Sequence, residues 1–129
     1  MSREIIHQLE ELEIKFNEHD RSIIWESTEG KQIIAWALKK VPAVAVADSF
    51  LPKGVEFPIH KHEEAEVLIC YEGRADCIVR CDEAGEVVIP LVPGRHVSIL
   101  PRVPHCIKTK EDTRFIAVTV PASEGFPDE

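Results

Sequence analysis

An all-β, antiparallel barrel or sandwich with an N-terminal helix is the fold class the sequence predicts. About ten short apolar runs recur through residues 22–120, separated by clusters of Gly, Pro, Asn, Asp and Ser. No internal repeat, low-complexity tract or linker divides them, and 129 residues suit a single domain. Helical spacing shows only at the start of the chain, where Ile5, Leu9, Leu12 and Phe16 recur with Ile6 beside them.

Taken in order, residues 2 to about 18 read as that helix, with Ser2 as N-cap and Glu10, Glu11, Glu13 and Lys15 on its polar side. It divides the chain into residues 1–20, a helix packed on the barrel or at a dimer interface, and residues 21–129, the barrel. Strands are expected over Ser22–Glu26, Lys31–Lys39, Ala43–Leu51, Val55–His62 and Glu66–Tyr71. Further strands are expected over Ala75–Cys81, Glu86–Val92, His96–Leu100, His105–Thr109 and Arg114–Val120. In Lys31–Lys39 both faces are apolar, Ile34, Trp36 and Leu38 on one and Ile33, Ala35 and Ala37 on the other, which predicts burial on both sides. Pro90 suits an edge or a bulge. The tail Pro121–Glu129 is rich in proline and acid and is expected to be loosely held.

The chemistry concentrates in Gly54–Gly73. His60 and His62 flank Lys61, and Glu66 follows four residues on. Two imidazoles and a carboxylate are good ligands for a first-row metal ion. On a continuous strand Glu66 would lie roughly 13 Å beyond His62, too far to share an ion. The metal reading therefore requires a turn at Glu63, Glu64 and Ala65, with Glu66 on the next antiparallel strand across a three-residue hairpin loop. His105, after the turn Pro101-Arg102-Val103-Pro104, is the fourth candidate.

At these residues the sequence resembles the cupin family. The pattern Gly54-x₅-His60-x-His62-x₃-Glu66-x₆-Gly73 agrees with the family's first motif at every fixed position. Gly94 to His105 resembles the second motif, with glycine and histidine at the family's spacing. Leu100 stands where the family usually has proline, Arg102 where it has glycine and Thr109 where it has asparagine; none of these is a ligand position. The resemblance covers roughly residues 44–120. It implies a jelly-roll β-barrel with one divalent metal, held here by His60, His62, Glu66 and His105. It does not name the reaction.

Other positions carry less. Leu68 and Cys70 share the parity of Glu66 and should face inward, Cys70 as a small buried hydrophobe. Phe57 reads as core or pocket wall and His96 as no ligand. Glu63 and Glu64, in the turn joining the ligand strands, read as a solvated turn or, alternatively, as acids that support the ligands. Ser98 has no identifiable triad partners. No phosphate loop or nucleotide fingerprint is present.

The formal charge of −8 argues against a nucleic-acid partner or an anionic membrane surface. The charged first twenty residues do not read as a signal peptide, and no apolar run is long enough for a membrane helix. Cys70, Cys77, Cys81 and Cys106 form no close pair in sequence and are expected as free thiols in a cytoplasmic protein.

Four protein ligands leave roughly two open positions on an octahedral ion. The donor set admits Fe, Mn, Ni, Zn or Cu. The leading expectation is a metal-dependent, dioxygenase-like enzyme whose small-molecule substrate chelates the ion. The alternatives are a non-catalytic metal- or metabolite-binding or sensing module, and a sugar-isomerase-like enzyme. Surplus apolar surface on the helix and on Lys31–Lys39 predicts a homodimer.

Overall fold

The computed structural model describes residues 13–17, 21–81 and 85–122. Its eleven strands are β1 (Glu13–Asn17), β2 (Ser22–Glu26), β3 (Gln32–Val41), β4 (Val44–Leu51), β5 (Glu56–His60), β6 (Ala65–Glu72), β7 (Ala75–Cys81), β8 (Gly85–Leu91), β9 (His96–Ile99), β10 (His105–Thr109) and β11 (Thr113–Val120). They form a seven-stranded sheet, β1-β2-β3-β4-β11-β6-β9, and a four-stranded sheet, β5-β10-β7-β8. Every pairing is antiparallel.

Four of the pairings are nested: β4 with β11, β5 with β10, β6 with β9 and β7 with β8. One long hairpin has been rolled so that its successive rungs alternate between two sheets, which is jelly-roll topology. β1, β2 and β3 extend the larger sheet beyond β4.

The described residues contain no helix. The N-terminal helix expected over residues 2–18 is corrected at its C-terminal end, where residues 13–17 form β1 against β2, with Ile14 opposite Trp25 and Phe16 opposite Ile23. Glu11 to Asn17 alternates polar and apolar without a break, so Leu12, Ile14 and Phe16 fit a period of two as well as a helical stripe. Pairing with the edge of β2 decides between them. Residues 1–12, with His7, lie outside the described residues, as does His19. No helix among the described residues is long and apolar enough to cross a membrane.

The core lies between the sheets and includes Ile33, Leu51, Leu68, Leu91 and Val97, each 2 % exposed or less. Burying side chains of this size contributes about 1.5–3 kcal/mol apiece. β4 shows the pattern clearly: Ala45, Ala47, Ser49 and Leu51 face in, and the residues between them are half-buried. Leu68 and Cys70 do face inward. On β3, Ile33 and Ala35 are buried, Ile34 and Trp36 are half-buried on the outer face, and Leu38 is exposed. A bulge between Ala37 and Lys39 shifts the register there. Within one chain, then, the outer face of β3 is only partly covered.

Three turns set the frame of the site. Gly54 has φ of 78° and Gly73 φ of 90°, both in the left-handed region that glycine adopts without a Cβ clash. Gly73 has a second constraint, because a Cβ there would be driven into the carbonyl of Asp112. Thr109 ties down the first turn: its hydroxyl donates to the Pro52 carbonyl at 2.6 Å and accepts from the Val55 N–H at 2.9 Å. In the third turn, between β9 and β10, Arg102 occupies the left-handed region with φ of 63°. Its N–H donates to the His62 carbonyl at 2.8 Å.

The two motif glycines should therefore respond differently to alanine. Gly54→Ala meets nothing but strain and should cost about 1–2 kcal/mol. Gly73→Ala adds a backbone collision and should cost more than about 3 kcal/mol. Arg102→Gly removes left-handed strain of about 1–2 kcal/mol, offset by about 0.4–1 kcal/mol of extra unfolded-state entropy, and should stabilise slightly. Urea unfolding of the three variants checks the ranking; Gly73→Ala no worse than Gly54→Ala would contradict it.

Candidate metal centre

His60 is the last residue of β5 and His105 the first of β10, and the two lie opposite each other in the pairing of those strands. Their rings are 4.2 Å apart, centroid to centroid. Glu66 is the second residue of β6, in the other sheet, paired with Thr119 on one side and Ile99 on the other. His62 belongs to neither strand. It lies in the 61–64 connection that carries the chain from the small sheet to the large one.

The expected hairpin between His62 and Glu66 is thus corrected. A turn does separate them, but β5 and β6 belong to different sheets and do not pair. Nor do His60 and His62 share a strand. The 61–64 and 100–104 connections both cross between the sheets, and the Arg102–His62 backbone bond joins them. All four candidate residues gather at that corner.

Each imidazole is aimed by its own backbone. Nδ1 of His60 bonds the Pro58 carbonyl at 2.9 Å, Nδ1 of His62 that of Glu64 at 2.8 Å, and Nδ1 of His105 that of Val103 at 2.8 Å. A carbonyl oxygen only accepts, so each Nδ1 holds the proton and donates it. In the neutral ring Nε2 is then a bare lone pair. One ring nitrogen from each of the three histidines lies within 4.8 Å of the others, a group that could hold a metal ion.

Glu66 joins this group. Its Oε1 is 3.6 Å from His62 Nε2 and 3.5 Å from His105 Nε2. Those two Nε2 atoms are buried and have no hydrogen-bond partner. Donors about 2.1 Å from a common ion stand about 3.0–3.4 Å apart, which the two Glu66 distances approach and toward which the ring nitrogens, within 4.8 Å of one another, would have to close. Orphaned lone pairs beside a carboxylate are costly unless a cation lies between them.

The electrostatics agree. Burial, then the positive charge that His105 would carry beside it, push His60 down to about 3, so it stays neutral across the physiological range. Burial raises Glu66, but the imidazoles of His105 and His62 outweigh it and hold the carboxyl down at about 2. Burial lowers His62, yet contact with Glu66 raises it above its ordinary value.

Phe57 is half-buried and packs against the core, and its ring meets His60 edge-on at 5.0 Å and Trp25 at 5.6 Å. His96 is exposed and apart from the group. Glu63 is 71 % exposed and makes a loose pair with Arg102 at 3.9 Å. Of the two readings of Glu64, the structure fits the supporting acid and not the solvated turn. It is largely buried, its carbonyl fixes His62, and its carboxylate lies 3.8 Å from the same Nδ1. Cys70, Cys77 and Cys106 are free and buried, and burial raises the pKa of all three thiols, that of Cys77 to about 12.

No protein-family model matches the chain, and no curated protein matches it significantly. Solved structures do match it. An RmlC-like cupin from Shewanella frigidimarina superposes with a TM-score of 0.66 at 21% identity, over 90% of this chain and 89% of that one. KdgF from a Halomonas species gives 0.65 at 16% identity, over 72% and 83%. Bacillus subtilis oxalate decarboxylase, whose structure is described by its Mn(II) centres, gives 0.63 at 16% identity, over 89% of this chain but 29% of that longer one. Rolled topology and structural likeness agree that this chain has the cupin fold.

Proposed function

We propose that the chain binds one divalent first-row transition ion through His60, His62, Glu66 and His105, and acts there on a small chelating molecule. The observation that carries this reading is the convergence of the three imidazoles, two of them against Glu66, each with its Nδ1 proton committed to a backbone carbonyl. An N₃O donor set suits Fe, Mn, Ni, Zn or Cu. The Mn(II) centres named for oxalate decarboxylase lie within that range. Such an ion supplies Lewis acidity and, if redox-active, a site for dioxygen, so dioxygenase-like chemistry fits the roughly two remaining positions.

The protein's own part is orientation and exclusion of water. Backbone carbonyls hold the imidazoles, Phe57 walls one side, and Glu66 supplies one negative charge. A second reading, a binding or sensing module without turnover, has a specific support. The further acid close by, Glu64, faces Nδ1 of His62 and not its open Nε2, so it is poorly placed as a base for a bound molecule. Oxygen uptake by iron-loaded protein across a panel of chelating acids separates the two. Turnover of any member favours the enzyme, and tight binding with none favours the module.

The ligand assignment has its own test. His62→Ala and Glu66→Gln should each lower metal affinity by more than the roughly 10–100-fold typical of residues that only support a ligand. His96→Ala should leave it unchanged. Full metal content in both site variants after dialysis would remove the proposed centre.

Proton linkage gives an independent check. At His62 the raised pKa means that part of the population is protonated near neutrality, and the ion must displace that proton. Titration calorimetry in buffers of different ionisation heat should show release of up to about one proton per ion, and affinity should fall as pH drops through the His62 pKa. Proton uptake on binding would contradict the scheme. For the metal-free protein, His60 takes its proton at about 3 in the fold against an ordinary 6.5, and Glu66 at about 2 against 4.5. Both bind fewer protons folded than unfolded, so stability is lost as pH falls through those two windows. His62 has the opposite sign: its contribution is complete below 6.5 and is lost as pH rises through its raised folded value.

A further inference from the structure

The extension of the large sheet, β1 to β3, reaches the neighbourhood of the metal centre. β5 is the edge strand of the small sheet, and its pairing with β10 is irregular between Phe57 and His60. The β2–β3 hairpin of the extension docks on the start of this strand. Lys31 Nζ donates to the Lys53 carbonyl at 2.5 Å, and the Glu56 N–H donates to Glu29 Oε1 at 3.4 Å. Trp25, opposite the buried Ile33 on β3, meets the Phe57 ring with centroids 5.6 Å apart and planes at 89°. These contacts run in step along residues 53–57, the segment that leads to His60.

Phe57 in turn meets His60, with centroids 5.0 Å apart and planes at 77°. Among the described residues, Phe57 is the one aromatic ring outside the three histidines that packs against any of them. His60 is also the imidazole with most need of such support. His62 and His105 each present Nε2 to Glu66, at 3.6 and 3.5 Å. His60 is aimed by its Nδ1 bond to the Pro58 carbonyl, two residues away on the same strand. One hydrogen bond fixes one point of a ring and leaves it free to rock about that point. A second ring packed almost perpendicular to it takes that freedom away.

We propose, resting on the metal-binding reading above, that Trp25 is a positioning residue of the centre, acting through Phe57 to hold the His60 ring in its ligating orientation. Trp25 and Phe57 are both half-buried, at the margin of the core. Two T-shaped contacts in series carry the position of β2 to His60. The three-strand extension thereby takes part in the site without supplying a donor to it. Filling the margin of a core would tolerate any apolar side chain of about the right volume. Holding a ring by its neighbour requires a ring, and this separates the two roles.

Cobalt(II) added to the metal-free full chain reads ligand geometry through its visible absorption. Phe57→Leu and Trp25→Ala should each change that spectrum and weaken cobalt binding about tenfold, the lower end of the range typical of residues that support a ligand. Trp25→Phe keeps a ring against Phe57 and should restore most of both. Trp36→Ala removes the other indole, on the outer face of β3, and should change neither. Native spectra and affinity in Phe57→Leu and Trp25→Ala, while the unsubstituted protein binds cobalt, overturn the proposal and leave the metal centre standing. An equal change in Trp36→Ala does the same, since it would mark general loosening. Failure of the unsubstituted protein to bind cobalt removes the centre and the positioning role together. Should Trp25→Ala not fold, the Trp36→Phe protein reports on Trp25 alone. Saturating zinc should shift its emission, and an emission that zinc leaves unmoved overturns the proposal.

Discussion

The pairing of β5 with β10 is the constraint on which the site depends. It brings His60 opposite His105, residues 45 positions apart in sequence, and so fixes half of the donor set by backbone hydrogen bonds alone. The pairing is irregular between His105 and Ile107, and its far end is held by Thr109, which ties the start of the motif to the end of β10. Because both strands end at this corner, the chain must leave each of them for the opposite sheet. The two departures run side by side, joined by the Arg102 N–H and the His62 carbonyl. One crossing carries His62 and delivers Glu66, and the other delivers His105.

The arrangement is poised rather than relaxed. Three imidazoles are turned so that Nδ1 faces a backbone carbonyl, and Nε2 of His62 and of His105 lie beside the Glu66 carboxylate, which remains ionised. In a well-satisfied core the rings would be rotated or protonated. Here the carbonyl bonds oppose rotation, and burial opposes protonation most strongly at His60. A divalent ion held there would relieve all of this at once, by accepting the imidazole lone pairs and offsetting the charge of Glu66. It would also bridge the sheets, since His60 and His105 come from the small sheet and Glu66 from the large one.

Much of this was legible in the sequence, and the misses have physical causes. Strands bounded by Gly and Pro turns were placed closely: the expected spans at Ser22–Glu26, Ala75–Cys81 and His105–Thr109 coincide with β2, β7 and β10. The distance argument that demanded a turn between His62 and Glu66 held, because it rests only on strand rise. The hairpin inferred from it failed, because a local turn cannot be told from a crossing between sheets without knowing which strands pair. Residues 11–17 fit two periods, and only the neighbouring β2 edge chooses between them. Arg102, standing where the resemblance expects glycine, occupies the left-handed region all the same, which the residue type alone did not announce. For Glu64 the sequence offered a supporting acid only as the lesser alternative, since its contact with His62 is made mainly by a carbonyl, which every residue has.

The buried thiols bear on which ion such a site can take. Cys77 is close enough to Glu66 to feel its charge, after the larger effect of burial, and together they push its thiol to about 12. A thiolate would compete for soft ions and would draw the centre toward zinc–sulfur or Cu(I) coordination. Cys70 and Cys77 are buried free thiols, and neither belongs to the group of ring nitrogens that could hold an ion. The interior therefore contains sulfur without placing it among the converging donors. Carbonyl bonds keep the three imidazoles pointed. Those same carbonyl bonds would be broken if a donor swung away to follow a different coordination geometry, so preference among borderline ions should follow how well each accepts three imidazoles and a carboxylate held in fixed directions.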